Sequence, residues 1–194
     1  MKTIVLASNN QHKVLEYQKI LKNYKLITLK DLDYQEEIEE NGHTFAENAL
    51  IKASTIHNYL KEQQKDYIVL AEDSGLCINA LNGAPGIYSA RYSGVHGNSL
   101  ENRKRVLKEL DGVDDRSAYF MCAIVVYFPN GEYQTFTGRT DGSITKEERG
   151  RTDFGYDAIF LSDDLDCTFG EATEEEKNSV SHRGRAIEEM LKFL

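Results

Sequence analysis

Cysteine is scarce in this chain: Cys77, Cys122 and Cys167 are scattered through 194 residues without a CxxC pair. An odd, dispersed set of this kind excludes a disulfide framework and a cysteine-built zinc site, and it fits a reducing compartment such as the cytoplasm. Long apolar runs are missing, and none approaches the roughly 20 residues that a membrane-spanning helix needs. The opening MKTIVLASNN turns polar too soon for a secretion signal and reads as a first strand. Basic residues are in deficit, 23 Lys and Arg against 32 Asp and Glu, for a formal charge of −9. That balance argues against a broad nucleic-acid-binding surface. Neither a GxxxxGK run followed by Ser or Thr nor a GxGxxG occurs, so no P-loop or dinucleotide fingerprint is present. Repeats, low-complexity tracts and interdomain linkers are absent as well. What is there is globular: an apolar fraction of 40% with 10% aromatics. The length suits one domain over residues 1–194, with room for a second lobe.

The order of elements reads as α/β. Thr3–Ala7 is an apolar strand ending in Ser8-Asn9-Asn10, which can cap a helix carrying Val14, Tyr17 and Leu21 at helical spacing. Leu26–Leu29 reads as a second strand. Thr44-x-x-Glu47 has the spacing of a capping box and opens a helix with Phe45, Ala49, Ala53, Ile56 and Leu60 inward, Asn48 and Lys52 sharing a neighbouring face. Tyr67–Ala71 is continuously apolar, the pattern of a strand covered on both faces, and is expected to end at Glu72-Asp73-Ser74-Gly75. Asn98-x-x-Glu101 starts another helix, with Leu100, Leu107 and Leu110 inward. Residues 117–128 and 133–145 are two long strands joined at Pro129-Asn130-Gly131. A short strand at Ala158–Leu161, a polar loop and a terminal helix with Ile187, Met190, Leu191 and Leu194 inward complete the chain.

Four polar clusters carry the chemistry. Ser8–Lys13 puts donors and a lysine at a helix N-terminus, where free N–H groups and the dipole suit phosphate; taken alone, it reads first as a capped surface helix with a solvated lysine. Glu72 and Asp73 are adjacent acids closing a buried strand, and their charges would repel unless a cation or a proton separated them. Such hard oxygen ligands suit Mg²⁺ with substrate phosphates, and Glu39 or Glu40 in the acidic loop before Thr44 could complete the site; the loop alone reads equally as a solvated charge run. Residues 153–157, DFGYD, place two aromatics about a glycine between acids, a stacking platform for a base or simply packing of Phe154 in the core. Residues 175–186, EEKNSVSHRGRA, crowd Lys177, His182, Arg183 and Arg185 into an acidic chain, as donors to a base edge or as plain surface.

In combination these segments resemble the inosine triphosphate pyrophosphatase family, whose members act on non-canonical purine nucleoside triphosphates. Six motifs stand in the family's order over essentially the whole chain: SNNQHK (8–13), EENGHTFAENALIKA (39–53), AEDSG (71–75), GAPGIYSARYSG (83–94), DFGYDAIF (153–160) and EEKNSVSHRGRA (175–186). AEDSG departs from the commoner ADDSG, and DFGYDAIF has Asp153 and Ala158 where bacterial members usually carry Gly and Pro. The resemblance implies two lobes around a long, twisted mixed β-sheet flanked by helices, an active-site cleft between the lobes, and a homodimer. It also implies Mg²⁺-dependent cleavage between the α- and β-phosphates of ITP, dITP or XTP, giving a monophosphate and pyrophosphate.

By the same resemblance Asp73 is the general base and a metal ligand, with Glu40 and Glu72 beside it at the metal. The run Ser8, Asn9, Asn10, Gln11, His12 and Lys13, together with Lys52 and Ser74, corresponds to the phosphate contacts. Phe154, Gly155, Tyr156 and Asp157 correspond to the segment closing on the base, and Lys177, His182 and Arg183 to the base-edge readers, Lys177 reaching also toward the phosphates. A 6-carbonyl accepts from such donors, whereas the 6-amino group of adenine would face a donor and leave both unpaired, a cost of roughly 1–3 kcal/mol per group. Two other readings stand beside this one: a pyrophosphatase for other modified nucleotides, and a non-catalytic nucleotide-binding module.

Overall fold

The computed structural model describes residues 2–194. Six strands form one mixed sheet in the order β2-β1-β3-β4-β5-β6, and five helices accompany it. Strand β1 (Thr3–Leu6) pairs in parallel with β2 (Lys25–Thr28) and with β3 (Ile68–Ile78). Strands β4 (Ser117–Tyr127) and β5 (Tyr133–Ile144) are joined by the tight turn expected at Pro129–Gly131, closed by the Phe128 N–H donating to the Glu132 carbonyl at 2.8 Å. Strand β6 (Phe160–Ser162) runs antiparallel to β5.

Local chemistry sets the helix starts. Helix α1 (Gln11–Ile20) is capped by Asn10, whose Oδ1 accepts from the N–H groups of His12 and Lys13. Helix α2 (Phe45–Glu62) is capped by Thr44, which accepts from Glu47 N–H. The reciprocal half of the box differs from expectation, because the Glu47 carboxylate reaches past Thr44 to the His43 N–H at 2.6 Å. A complete capping box occurs instead at Thr173 and Glu176, opening α4 (Glu174–Val180), and Ser181 caps α5 (His182–Phe193). The stretch 175–186 therefore spans most of α4 and the start of α5 and is not a loop. Helix α3 (Ser99–Glu109) starts at Asn98 as its spacing predicts, but it turns Asn102, Arg103 and Val106 inward and leaves Leu100 exposed. Leu191 of α5 is exposed too, while Ile187 and Met190 face inward as expected, together with Ala186. Residues 157–159 form a 3-10 turn ahead of β6, so the expected strand at 158–161 begins two residues late.

The chain divides into two compact units, the first comprising residues 1–73 and 123–136 and the second 74–122 and 137–194. In the first, Val5, Ala49, Ala53, Ile56, Leu60, Val69 and Val125 build the core. In the second, Leu76, Ile78, Val106, Phe120, Ile159, Phe160 and Phe169 do so.

Candidate active site

Glu72 and Asp73 lie inside β3, not in a turn after it; the strand continues to Ile78. Successive side chains of a strand point to opposite faces. The two acids therefore separate: Glu72 meets α1 and Asp73 meets α2. The cations that the adjacent charges call for are supplied in part by the protein itself, Lys13 beside Glu72 and Lys52 near Asp73.

On the α1 side, the Lys13 ammonium lies 3.1 Å from Glu72 Oε1, and the Tyr17 hydroxyl donates to Glu72 Oε2 at 2.9 Å. Lys13 and Tyr17 are four apart on one helix face, so a single turn supplies both partners. Glu72 is buried, and burial of a carboxylate is tolerated when charge and hydrogen bonds accompany it. Ser8 accepts from the Asn10 N–H at 3.1 Å. The oxygens of Ser8 and Asn10 thus shape the helix start, while the hydroxyl proton of the one and the amide of the other are donors by type. Asn9, Asn10, Gln11 and His12 are exposed along the same turn.

On the α2 side, Asn48 donates to Asp73 Oδ2 at 3.1 Å and accepts from the Gly42 N–H at 2.9 Å. A Cβ at Gly42 would lie 2.8 Å from both Asn48 Oδ1 and Glu47 Cβ, so glycine is what lets the acidic loop close on this amide. One turn along, Lys52 donates to Glu40 Oε2 at 3.1 Å and stands 4.0 Å from Asp73 Oδ1. Burial raises the Asp73 carboxyl above its ordinary pKa, with Glu40 pushing the same way against Lys52, Lys13 and the Asn48 hydrogen bond. Among the described residues no group of three His, Cys, Asp or Glu side chains is arranged to hold a metal. Asp73, Glu40 and Glu72 are thus not a preformed three-acid set, because strand alternation takes Glu72 to the other face. Asp73 and Glu40, both near the Lys52 ammonium, remain as a two-carboxylate pair already arranged about a cation. One or two carboxylates with substrate oxygens is how Mg²⁺ is commonly held, so the pair fits that ion.

The second unit holds the aromatic segment. Phe154 is partly exposed, and it is Tyr156 that enters the core, its hydroxyl donating to the Ser89 carbonyl at 2.6 Å. Gly155 has φ +50°, a left-handed conformation that suits glycine. Asp157 accepts from Lys177 Nζ at 2.5 Å, and that ammonium lies 4.8 Å from the Phe154 ring centroid. Burial raises the Asp157 carboxyl while Lys177 and Arg183 pull it down. His182 and Arg183 are buried, each 7% exposed, which overturns the reading of a surface pair. The His182 ring stacks on Phe120 at 4.7 Å and 12°. Gly138 of β5 admits the start of α5, since a Cβ there would lie 2.0 Å from the His182 carbonyl oxygen. Ser74 follows Asp73 on β3 and is half-buried.

Three residues of these groups were not legible as such. Tyr17 and Asn48 sit one helical turn from Lys13 and Lys52, a spacing visible in the sequence. Phe120 reads only as an apolar strand residue.

The Ham1 family model matches residues 4–193. The dITP/XTP pyrophosphatase of Bacillus licheniformis is 46% identical over 198 residues, covering 100% of this chain and 98% of that protein. The dITP/XTP pyrophosphatase of Clostridium perfringens is 46% identical, covering 98% and 96%. Among solved structures, the Staphylococcus aureus Ham1 protein superposes with a TM-score of 0.90 at 39% identity, covering 99% of this chain and 97% of that one. With a model matched almost end to end and full-length relatives at this identity, the chain belongs to the Ham1 family.

Proposed function

We propose that the chain hydrolyses non-canonical purine nucleoside triphosphates, ITP, dITP and XTP, to the monophosphate and pyrophosphate, clearing them from the nucleotide pool. The observation that carries this reading is the setting of Asp73: a buried carboxylate braced by Asn48, with Glu40 and the Lys52 ammonium beside it. Similarity to proteins named dITP/XTP pyrophosphatase supports the substrate class.

In this reading Asp73 accepts a proton from a water, whose oxygen attacks the α-phosphorus in line as the bond from that phosphorus to the β-bridging oxygen breaks and pyrophosphate departs. Asn48 holds Asp73 Oδ2, which orients the carboxylate for this transfer. Lys52, Lys13 and the donors of Ser8–Lys13 bind and orient the phosphates, Ser74 beside them. Mg²⁺, held by Asp73 and Glu40, would supply neutralisation of the triphosphate. Glu72 keeps Lys13 in place with Tyr17. Phe154 through Asp157 form the base segment, Phe154 as the stacking ring, and Lys177, His182 and Arg183 donate to the carbonyl edge. The protein acts as a homodimer in the cytoplasm, as the family resemblance suggests; no described helix is long and apolar enough to cross a membrane.

Incubation with Mg²⁺ and a panel of ITP, dITP, XTP, ATP, GTP and pyrimidine triphosphates tests the proposal. Pyrophosphate released from the first three ahead of the others is the expected result. Release of orthophosphate, or preference for a pyrimidine, would refute it.

A further inference from the structure

The largest buried polar side chain outside the groups assigned above is Arg103, on the inward face of α3. A buried guanidinium persists only when its donors are satisfied. Here Nε donates to Glu148 Oε1 at 2.6 Å, and Nη1 donates to the Gly155 carbonyl at 2.8 Å. Gly155 is the left-handed residue between Phe154 and Tyr156, and its carbonyl is the point at which α3 grips the turn. The neighbouring Asn102 donates to the Ser89 and Ala90 carbonyls at 3.3 and 3.2 Å and accepts from the Ser93 N–H at 2.7 Å. Tyr156 donates to that same Ser89 carbonyl at 2.6 Å. Two consecutive helix residues thus tie residues 89–93 and 155–156 together, and α3 spends its inward face on polar holds where its spacing would place leucine.

We propose that Arg103 is a positioning residue for the base segment. It fixes the Gly155 peptide so that the ring of Phe154, one residue away, is set before the nucleotide arrives; the fork geometry of a guanidinium reaches two acceptors that an ammonium cannot reach together. This rests on the assignment of Phe154–Asp157 to the base. Its consequence is selective: loss of the hold weakens whatever binds through the base and leaves whatever binds through phosphates alone.

The experiment measures, for Arg103→Lys, Arg103→Met and Glu148→Gln, the KM and kcat for ITP, the inhibition constants of IMP and of inorganic pyrophosphate, and the melting temperature. Phe154→Ala is the reference. Expected in the Arg103 variants is a rise of about tenfold in KM for ITP and in the IMP constant, kcat within about threefold, and a pyrophosphate constant within about twofold of wild type. Glu148→Gln, which leaves the Gly155 bond in place, changes each constant less than Arg103→Met does. Amides 154–157 exchange faster in Arg103→Lys at equal global stability. Should Arg103→Met fail to fold, Arg103→Lys decides. Unchanged KM and IMP constants in a folded variant, or equal losses for IMP and pyrophosphate, overturn the proposal. If Phe154→Ala itself leaves KM and the IMP constant untouched, the base assignment has failed; if Phe154→Ala weakens both and Arg103→Lys neither, only the positioning role has.

Discussion

The two polar groups of this protein share ion pairs and differ in what surrounds them. In the first unit charges are held by charges: Lys13 on Glu72, Lys52 on Glu40 and near Asp73, with neutral partners Tyr17 and Asn48 completing the set. In the second unit the ion pairs Lys177–Asp157 and Arg103–Glu148 are joined by rings and carbonyls: Lys177 lies over Phe154, the His182 ring stacks on Phe120, and Arg103 also holds the Gly155 carbonyl. Sites of the first kind act through field strength and tolerate small shifts in geometry. Those of the second kind act through shape, and a displaced ring loses its contact outright. Under the proposed function, reaction chemistry falls to the first group and substrate choice to the second.

The sharpest way to break that division is Asp73→Asn. It is expected to lower kcat for ITP by about a thousandfold or more while nucleotide binding persists; a variant within about tenfold of wild type, measured by pyrophosphate release, would remove Asp73 from the base role. Next in size, Phe154→Ala is expected to raise KM for ITP by about ten- to a hundredfold with pyrophosphate inhibition unchanged, the loss of one base–ring stack. Arg183→Ala comes third, narrowing the preference for dITP over dATP by about tenfold in kcat/KM. Unchanged discrimination there would take Arg183 out of base reading.

Two smaller effects probe the electrostatic group. Tyr17→Phe removes one hydrogen bond from buried Glu72 and is expected to raise KM by about threefold with a modest drop in melting temperature; an unchanged KM would mean that Glu72 does not need Tyr17 to hold Lys13. The pH dependence of stability carries a sign. The Asp73 carboxyl is raised on folding, so its contribution is fully present below its ordinary pKa and is lost as pH rises through the folded value. Without metal, Asp73→Asn should therefore melt above wild type at pH 7, and the gain should vanish towards pH 3. A gain that persists or grows in acid would show that Asp73 is not raised.

Much of the architecture follows from local signals. The caps at Asn10, Thr44 and Asn98 and the turn at 129–131 are legible because each depends on residues within five positions. The misread elements are those where distant partners overrule the local pattern. Glu72 and Asp73 look like a strand's end because polar residues interrupt an apolar run, yet β3 continues through them, each acid having a helix to meet. Helix α4 looks like a loop because it offers few apolar residues, and its inward member is a lysine whose partner, Asp157, lies 20 residues away. Leu100 and Leu191 face out, while Arg103 turns inward on a face that apolar spacing reserves for leucine. The candidate residues themselves were legible as motifs; their pairings were not, since nothing in the order of residues says that Lys13 answers Glu72 while Asn48 answers Asp73.

The most direct test of the division is isotopic. Hydrolysis of ITP in ¹⁸O-enriched water, followed by phosphorus NMR, shows which phosphorus the water attacks. Label entering IMP and absent from pyrophosphate is the expected outcome. Label in pyrophosphate, or products of IDP and orthophosphate, would contradict the placing of water activation at Asp73 against the α-phosphorus.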